Sequence, residues 1–244
     1  MTRLSVNLNA VAMLRNRRDI GWPSVTGIAR LVLEAGADGI TVHPRPDERH
    51  IRKSDVYELA QLLRQDFKEA QLNIEGYPGE DFLKLVEEVR PDQVTFVPDD
   101  PKQSTSDHGW DIDANADLLR SVIARMKKIN VRASLFIDED PTVPPDAWEV
   151  EADRVELYTG PYAANFGLPE GAYHLQRLGV TARAAEAAGL EINAGHDLTL
   201  ENLGAFLQAT PEIAEVSIGH GITADALIMG FGEAVKRYKA LLGA

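Results

Sequence analysis

Residues 24 to 43 read Ser24-Val-Thr-Gly-Ile-Ala-Arg-Leu-Val-Leu-Glu-Ala-Gly-Ala-Asp-Gly-Ile-Thr-Val-His43, and this stretch contains the repeating unit that decides the fold. Apolar residues recur at helical spacing from Val25, with Ser24 as a suitable N-cap and Gly36 as a suitable stop. The apolar, β-branched run Gly39–His43 then predicts a strand. A helix that leads directly into a strand is one unit of an alternating α/β fold.

The same alternation continues along the chain. Strands are predicted at Leu4–Asn9, Gly39–His43, Gln71–Glu75, Gln93–Pro98, Arg132–Ile137, Arg154–Tyr158, Glu191–Ala194 and Glu215–Ile218. Helices are predicted at Ser24–Ala35, Ser54–Leu63, Glu80–Val89, Ala116–Lys128, Gly171–Ala188, Glu201–Ala209 and Thr223–Leu242. The segment 138–153 contains Pro141, Pro144 and Pro145, so its helix is expected to be short or absent.

Eight such units in 244 residues predict an α/β chain of one domain, a (β/α)₈ TIM barrel over residues 1–244. The alternative is an open doubly wound sheet. It is disfavoured because no Gly-x-Gly-x-x-Gly motif follows the first strand. Long loops are expected at 10–23 and 99–115, on the face that carries the active site.

The composition excludes several classes of function. A net charge of −13 argues against a nucleic-acid binder. The chain has no cysteine, so disulfides, thiolate metal sites and a cysteine nucleophile are excluded. No secretion signal or membrane span is visible, which predicts a cytoplasmic protein without membrane contact. Two basic clusters predict either a patch for small anions or solvated loop charges; they are Arg15, Arg17 and Arg18, and Arg45, Arg49, Arg52 and Lys53.

Groups that can transfer protons follow several predicted strands. His43, Glu75, His196 and His220 all lie at or just after strand ends. In a barrel these ends meet on one face, so the side chains are expected to form one site. His43 is a candidate general base, and Glu75 a candidate acid or base. The alternatives are a packed core histidine and a structural partner for an arginine.

Two Gly-His turns predict a phosphate site. Asn193-Ala-Gly-His-Asp197 and Ile218-Gly-His-Gly221 follow the last two strands, where barrels of this type commonly bind phosphate. His43-x-Arg45 disfavours a metal, since a cation stands where a second ligand would be needed. No Gly-x-Ser-x-Gly turn or strand-end lysine is present. The pattern therefore favours condensation or isomerisation of small phosphorylated carbonyl compounds.

The chain also resembles the pyridoxine 5′-phosphate synthase family from end to end. The resemblance rests on Val6–Asn9, Leu14–Asn16 with Arg18, Gly36–Arg45, Arg49–Ile51, Asn73–Glu75, Val97-Pro98, Ser134–Asp138, Glu156–Gly160, Asn193–His196 and Ile218–His220. It implies a TIM barrel that needs no metal or organic cofactor and assembles as a homo-octamer. It also implies condensation of 1-deoxy-D-xylulose 5-phosphate with 3-amino-2-oxopropyl phosphate, releasing inorganic phosphate and water.

The resemblance implies a role for each site residue. His43 and Glu75 would accept protons, and His196 would donate one. The residues implied to hold the aminoketone phosphate are Asn7, Arg18, Asp197, Gly219 and His220. Those implied to hold the deoxyxylulose phosphate are Arg45, His50 and Thr105, with Asn9 and Ala10 standing where the family usually has Asp and His. Other departures from the usual pattern are Tyr158 for His, Asp197 for Gly, and Thr223-Ala-Asp225 for Ile-Gly-Arg.

Two alternatives remain open at this point. One is a phosphosugar isomerase, epimerase or aldol-type lyase on the same barrel, which would need a single phosphate site. The other is a catalytically silent metabolite-binding barrel. Retention of both anion-binding groups disfavours the first alternative. Retention of three proton-transfer groups disfavours the second.

Overall fold

The structure is a computed structural model that describes residues 1–99 and 106–243. Eight parallel strands pair in sequence order and close into a barrel, because β1 pairs with β8. The strands are β1 (Arg3–Asn7), β2 (Gly39–Val42), β3 (Gln71–Gly76), β4 (Gln93–Phe96), β5 (Arg132–Ile137), β6 (Arg154–Tyr158), β7 (Glu191–Gly195) and β8 (Glu215–Ile218). The predicted TIM barrel is confirmed, and the doubly wound alternative is wrong.

Helices surround the barrel. In the described residues they are α1 (Asn9–Asn16), α2 (Val25–Glu34), α3 (Lys53–Asp66), α4 (Glu80–Val89), α5 (Ala116–Lys128), α6 (Val143–Glu149), α7 (Gly160–Ala164), α8 (Pro169–Ala187), α9 (Leu203–Ala209), α10 (His220–Met229) and α11 (Phe231–Leu241). None of them is long and apolar enough to cross a membrane. The helix in segment 138–153 is short, as expected, with prolines in its first turn.

Two expectations about the loops and helices are wrong. The expected loop 10–23 contains α1, which buries Val11 and Ala12. This helix is fixed by the buried Arg15, whose guanidinium binds Asp55 and the His50 carbonyl. The predicted helix Thr223–Leu242 is instead two helices, α10 and α11. They meet at Gly230, whose φ of +81° ends the first helix.

The barrel interior is polar, and the apolar core lies between the strands and the helices. Along each strand, buried Val, Leu and Ile residues alternate with buried polar residues. The polar side chains bond to one another across strands, as Ser5 Oγ does to Thr41 Oγ1 at 2.7 Å. They include Ser5, Thr41, Asn73, Gln93, Thr95, Ser134, Arg154, Glu156, Asn193, Glu215 and Ser217. Barrels of this class usually fill this space with branched apolar side chains. The polar side chains found here therefore either take part in catalysis or stabilise the barrel through their hydrogen bonds.

Candidate active site

A pocket of about 340 Å³ opens at the carboxyl ends of the strands. Its walls come from many separate segments of the chain, as expected for an active site in this fold. It is lined by Asn7, Asn9, Ala10, Met13, His43, Arg45, His50, Glu75, Val97, Ser106, Phe136, Glu156, His196, Asp197, Ser217, Gly219 and His220.

The His43 imidazole lies between two carboxylates. Its Nδ1 is 4.0 Å from Glu75 Oε2, and its Nε2 is 3.9 Å from Asp99 Oδ2. Both separations are slightly longer than a hydrogen bond. Burial, and then the Arg45 charge, hold the pKa of His43 well below its usual value. The imidazole is therefore neutral near pH 7 and can accept a proton.

Glu75 occupies the mouth of β3, where Asn7 Nδ2 donates to its Oε2 over 3.4 Å. Burial raises the pKa of Glu75 well above its usual value, and the neighbouring Glu156 and Asp99 add to the effect. A carboxyl with a raised pKa can exchange a proton in the neutral pH range. Glu75 is thus placed to act with His43.

Glu156 is a third carboxyl at the base of the pocket, and the strand-end criterion did not select it. It lies within β6 and accepts a hydrogen bond from Thr95 Oγ1 at 3.3 Å. Burial, followed by Glu215, raises its pKa from 4.5 to about 7. A Cβ at Gly195 would lie 2.5 Å from Glu156 Oε1, so glycine leaves the room for this carboxyl. The polar alternation Arg154-x-Glu156-x-Tyr158 is the signal in the sequence that could have identified it.

Arg45 and His50 form one wall of the pocket. The Arg45 guanidinium donates to Asp99 Oδ2. The Ile51 amide donates to His50 Nδ1 at 2.9 Å, so a neutral His50 carries its proton on Nε2. Burial and the Arg45 charge lower the pKa of His50 to about 4. Near pH 7 this wall therefore offers one cation and one neutral N–H donor.

Asn9 ties the end of β1 to the end of β2. Its Oδ1 accepts the backbone N–H of His43 at 2.9 Å, and its own N–H donates to Asn7 Oδ1 at 2.9 Å. These bonds hold the backbone that carries His43. Asn9 therefore lines the pocket and also supports the position of the imidazole.

The end of β7 turns through two left-handed residues, His196 (φ +80°) and Asp197 (φ +55°). The turn is held by Thr159 Oγ1, which donates to the Gly195 carbonyl at 2.6 Å, and by Asn202 Nδ2, which donates to the Asp197 carbonyl at 3.0 Å. Such backbone strain is retained where surrounding contacts impose it, commonly at functional sites.

The His196 ring is fixed by aromatic neighbours. It lies edge-on to Tyr158, with ring centroids 5.2 Å apart, and 5.7 Å from Phe136. Burial lowers the pKa of His196. If it becomes protonated, this imidazolium is consequently a stronger acid than an exposed one.

The last strand leads into a helix N-terminus. Gly219 is the N-cap of α10, and His220 is its first residue. A Cβ at Gly219 would lie 3.1 Å from Asn7 Cβ, a tight approach that favours glycine. The free amides at this end, together with the helix dipole, suit an anionic group.

The structure brings most of the predicted site residues together. The pocket contains His43, Glu75, His196, Asn7, Asn9, Arg45, His50, Asp197, Gly219 and His220. Arg18 is exposed beyond α1 and does not line the pocket. Thr105 lies outside the described residues. Within residues 1–99 and 106–243, no group of three or more histidines and carboxylates is arranged to hold a metal ion.

The two predicted basic clusters do not form one patch. Arg15 is buried against Asp55 and Arg45 against Asp99. Arg17 and Arg18 are exposed on the protein surface. Of the two clusters, Arg45 alone lines the pocket, and among the described lining residues it is the one that carries a permanent positive charge.

Comparison with known proteins identifies one family. Residues 4–244 match the family model described as "Pyridoxal phosphate biosynthesis protein PdxJ". A pyridoxine 5′-phosphate synthase of Mesorhizobium japonicum is 57% identical over 250 residues, covering 99% of this chain and 98% of that protein. A protein of the same description from Brucella anthropi is 57% identical over 241 residues, covering 98% of both chains.

Solved structures share the barrel at much lower identity. Phosphoribosyl anthranilate isomerase from Thermotoga maritima has a TM-score of 0.63 at 13% identity, covering 100% of both chains. Thiamine phosphate pyrophosphorylase from Pyrococcus furiosus has a TM-score of 0.60 at 14% identity, covering 99% of this chain and 95% of that one. At these identities the likeness concerns the fold alone.

Proposed function

The chain belongs to the pyridoxine 5′-phosphate synthase family, and from that premise we propose that its pocket closes the pyridine ring of vitamin B6. The substrates are 1-deoxy-D-xylulose 5-phosphate and 3-amino-2-oxopropyl phosphate, and the products are pyridoxine 5′-phosphate, inorganic phosphate and water. The observation that supports this best is the convergence of His43, Glu75 and His196 on one pocket. Imine formation, dehydration and loss of phosphate each require proton transfers, which such groups accelerate.

The proton-transfer roles follow from the surroundings of each group. His43 is neutral and accepts a proton, with Glu75 beside its Nδ1 as the second acceptor. The donor role of His196 rests on the family resemblance; a proton that this ring takes up during the reaction is readily released, because burial lowers its pKa. Glu156 is a neutral or negative carboxyl, depending on pH, beneath the reacting atoms. It can stabilise positive charge that develops on an iminium nitrogen.

The two phosphates are assigned to opposite walls. Arg45 and the Nε2–H of His50 bind the phosphate of the deoxyxylulose substrate. The aminoketone phosphate is bound at the α10 N-terminus, by Gly219 and His220 together with Asn7. The Asp197 carboxylate, which also lines the pocket, contacts the amine of the same substrate. The assignments of Asn9 to the first substrate, Arg18 to the second and Thr105 to the first rest on the family resemblance.

The test is the reaction itself. Purified protein is mixed with both phosphorylated substrates, and pyridoxine 5′-phosphate is followed by its ultraviolet absorbance. We expect product from the wild type only when both substrates are present, and a loss of roughly 10²–10⁴-fold in kcat for His43→Ala. The exposed Asp117→Asn variant is the matched control. Turnover of one substrate alone would instead support an isomerase or lyase, and binding of substrates without turnover would support a silent barrel.

We also propose that the chain works as a homo-octamer in the cytoplasm, as the family resemblance implies. Large apolar side chains are exposed on α1, at Met13 and Leu14, and on the adjacent α10, at Leu227 and Ile228. An exposed apolar surface of this kind is typical of an interface. Sedimentation velocity is expected to give an octamer, and Leu227→Asp is expected to dissociate it. A wild-type monomer at micromolar concentration would contradict the proposal.

A further inference from the structure

Asp99 is a buried carboxylate beside Arg45 and His43, two residues of the pocket wall, and the proposed reaction assigns it no role. It follows β4 and is 5% exposed. Its Oδ2 accepts hydrogen bonds from the Arg45 guanidinium and from Ser106 Oγ at 2.8 Å. The same oxygen is 3.9 Å from His43 Nε2. One carboxylate oxygen thus lies between the phosphate-binding arginine and the candidate base.

The hydrogen bonding of this group is incomplete. Arg45 Nε and Asp99 Oδ1 are both buried, and neither has a hydrogen-bond partner among residues 1–99 and 106–243. Buried polar atoms without partners are unfavourable, so this arrangement is less stable than one in which both groups are fully paired. A phosphate dianion at Arg45 offers several acceptor oxygens and competes with Asp99 for the guanidinium.

We propose that Asp99 is a positioning residue that couples phosphate binding at Arg45 to the orientation of His43. When the phosphate binds the guanidinium, the Asp99 carboxylate exchanges Arg45 for His43 Nε2. The required movement is small, since shortening the present 3.9 Å separation to about 2.9 Å makes a hydrogen bond. Asp99 then holds Nε2, while Nδ1, 4.0 Å from Glu75 Oε2, is left to accept a proton. This inference rests on the proposed function and extends it.

Several charged or titratable groups face His43 from the surrounding elements. They are Glu75 on β3, Asp99 after β4, His196 at the end of β7, and Arg45, Arg49 and His50 after β2. Burial and then the Arg45 charge lower the pKa of His43 and make it a weak base. An Asp99 carboxylate no longer paired with Arg45 stabilises the imidazolium and raises that pKa. The base is therefore strengthened only when the substrate phosphate is in place.

The direct test is a histidine titration by NMR, with inorganic phosphate as the probe. Wild type, Asp99→Asn and the control Asp117→Asn are labelled at histidine Cε1, and the His43 signal is assigned by its loss in His43→Gln. Saturating phosphate is expected to raise the pKa of His43 by about one unit or more in wild type and control. In Asp99→Asn the rise is expected to be less than half as large, because only the charge of the phosphate remains.

Two results would overturn the coupling. One is the absence of any rise in wild-type protein saturated with phosphate, a result that does not depend on the folding of any variant. The other is an equal rise in Asp99→Asn, whose folding is checked by circular dichroism. Neither measurement requires turnover, so failure of the synthase assay is distinguishable from failure of the coupling.

Steady-state kinetics provide a second test. If Asp99 had only a structural role, its replacement would not change KM, kcat and the pH profile in the combination expected here. In Asp99→Asn, KM for deoxyxylulose phosphate is expected to fall several-fold, because no carboxylate competes for Arg45. At the same time kcat is expected to fall about tenfold or more, and the acidic limb of its pH profile should move to lower pH. A rise in KM together with an unmoved acidic limb would contradict the proposal.

Discussion

The two ends of the barrel interior both contain buried charge, but they use it differently. At the lower end, where the strands begin, Arg154 pairs with Glu191. Its Nη1 also donates to Gln93 Oε1 at 3.0 Å and to Asn193 Oδ1 at 3.2 Å. At the upper end, the carboxyls of Glu75 and Glu156 line the pocket, and Asp99 lies against Arg45, the one buried guanidinium among the described lining residues.

The difference separates structural charge from chemical charge. A buried cation loses its hydration on folding, a cost that carboxylate and amide partners offset, and removal of one partner is destabilising. Buried carboxyls with few partners have raised pKa values and exchange protons near neutrality, as Glu156 does. We infer that the charges at the lower end stabilise the barrel, whereas the carboxyls at the upper end lower its stability and allow proton transfer.

The largest expected effect is a loss of kcat caused by a substitution at the upper end. Glu75→Gln keeps the shape of the side chain but removes its ability to accept a proton. We expect kcat for pyridoxine 5′-phosphate formation to fall by roughly 10²–10⁴-fold. Steady-state kinetics measure the loss, with exposed Glu149→Gln as the matched control. Activity of Glu75→Gln within a few-fold of wild type would show that the carboxylate is not an acceptor.

The next effect is a loss of stability caused by a substitution at the lower end. Arg154→Met removes the guanidinium that pairs with Glu191 and opposes the buried charge of Glu215. We expect the free energy of unfolding to fall by about 2–4 kcal/mol, because two buried amide oxygens lose their donor, with kcat nearly unchanged. Urea unfolding and the synthase assay test the two parts. A selective loss of kcat without loss of stability would place Arg154 in the chemistry instead.

The third prediction uses pH to sharpen the contrast. Burial raises the pKa of Glu156 from 4.5 to about 7, so the folded state keeps a proton that the unfolded state releases in this range. Stability due to this group is therefore present below pH 4.5 and is lost as pH rises towards 7. A shift of this size corresponds to about 3 kcal/mol.

Glu156→Gln removes that dependence. Relative to wild type, the variant should become more stable by about 3 kcal/mol between pH 4 and pH 8, as measured by urea unfolding at several pH values. Glu149→Gln should keep the wild-type pH dependence, because this side chain is exposed in both states. An unchanged slope in Glu156→Gln would show that another group carries it.

The smallest expected effect concerns the link between β1 and β2. Asn9→Ala removes the acceptor of the His43 backbone N–H, a bond of 2.9 Å. We expect a loss of about 1 kcal/mol in unfolding free energy and a modest fall in kcat, since the imidazole is less firmly held. Asn115→Ala, which loses an exposed bond to the Asp111 carbonyl, is the matched control. Equal effects of both substitutions on kcat would show that Asn9 does not help to position His43.

Local patterns in the sequence were sufficient for the barrel and for part of the site. Strand ends converge in this fold whatever their distance in sequence, so His43, Glu75 and His196 could be grouped from their positions alone. Glu156 was missed because it lies within β6, and its contact with the pocket depends on the polar barrel interior. Asp99 looked like the first residue of a loop.

Longer-range pairings explain the remaining differences. Arg15 belongs to a cluster predicted to form either an anion patch or solvated loop charges, but it pairs with Asp55 of α3, and no local pattern indicates that pairing. The same ion pair fixes α1 where a loop was expected. The break between α10 and α11 had a visible signal, Gly230, which the apolar stripe on either side outweighed.

The most direct test of the division between the two ends is the free energy of unfolding of Glu75→Gln at pH 8. Burial raises the pKa of Glu75, so its charged form is unfavourable in the folded protein. The neutral glutamine avoids that penalty, and we expect the inactive variant to be at least as stable as wild type in urea. A variant less stable than wild type by more than about 1 kcal/mol, the size of one ordinary hydrogen bond, would show that the upper carboxyls support the fold as the lower charges do.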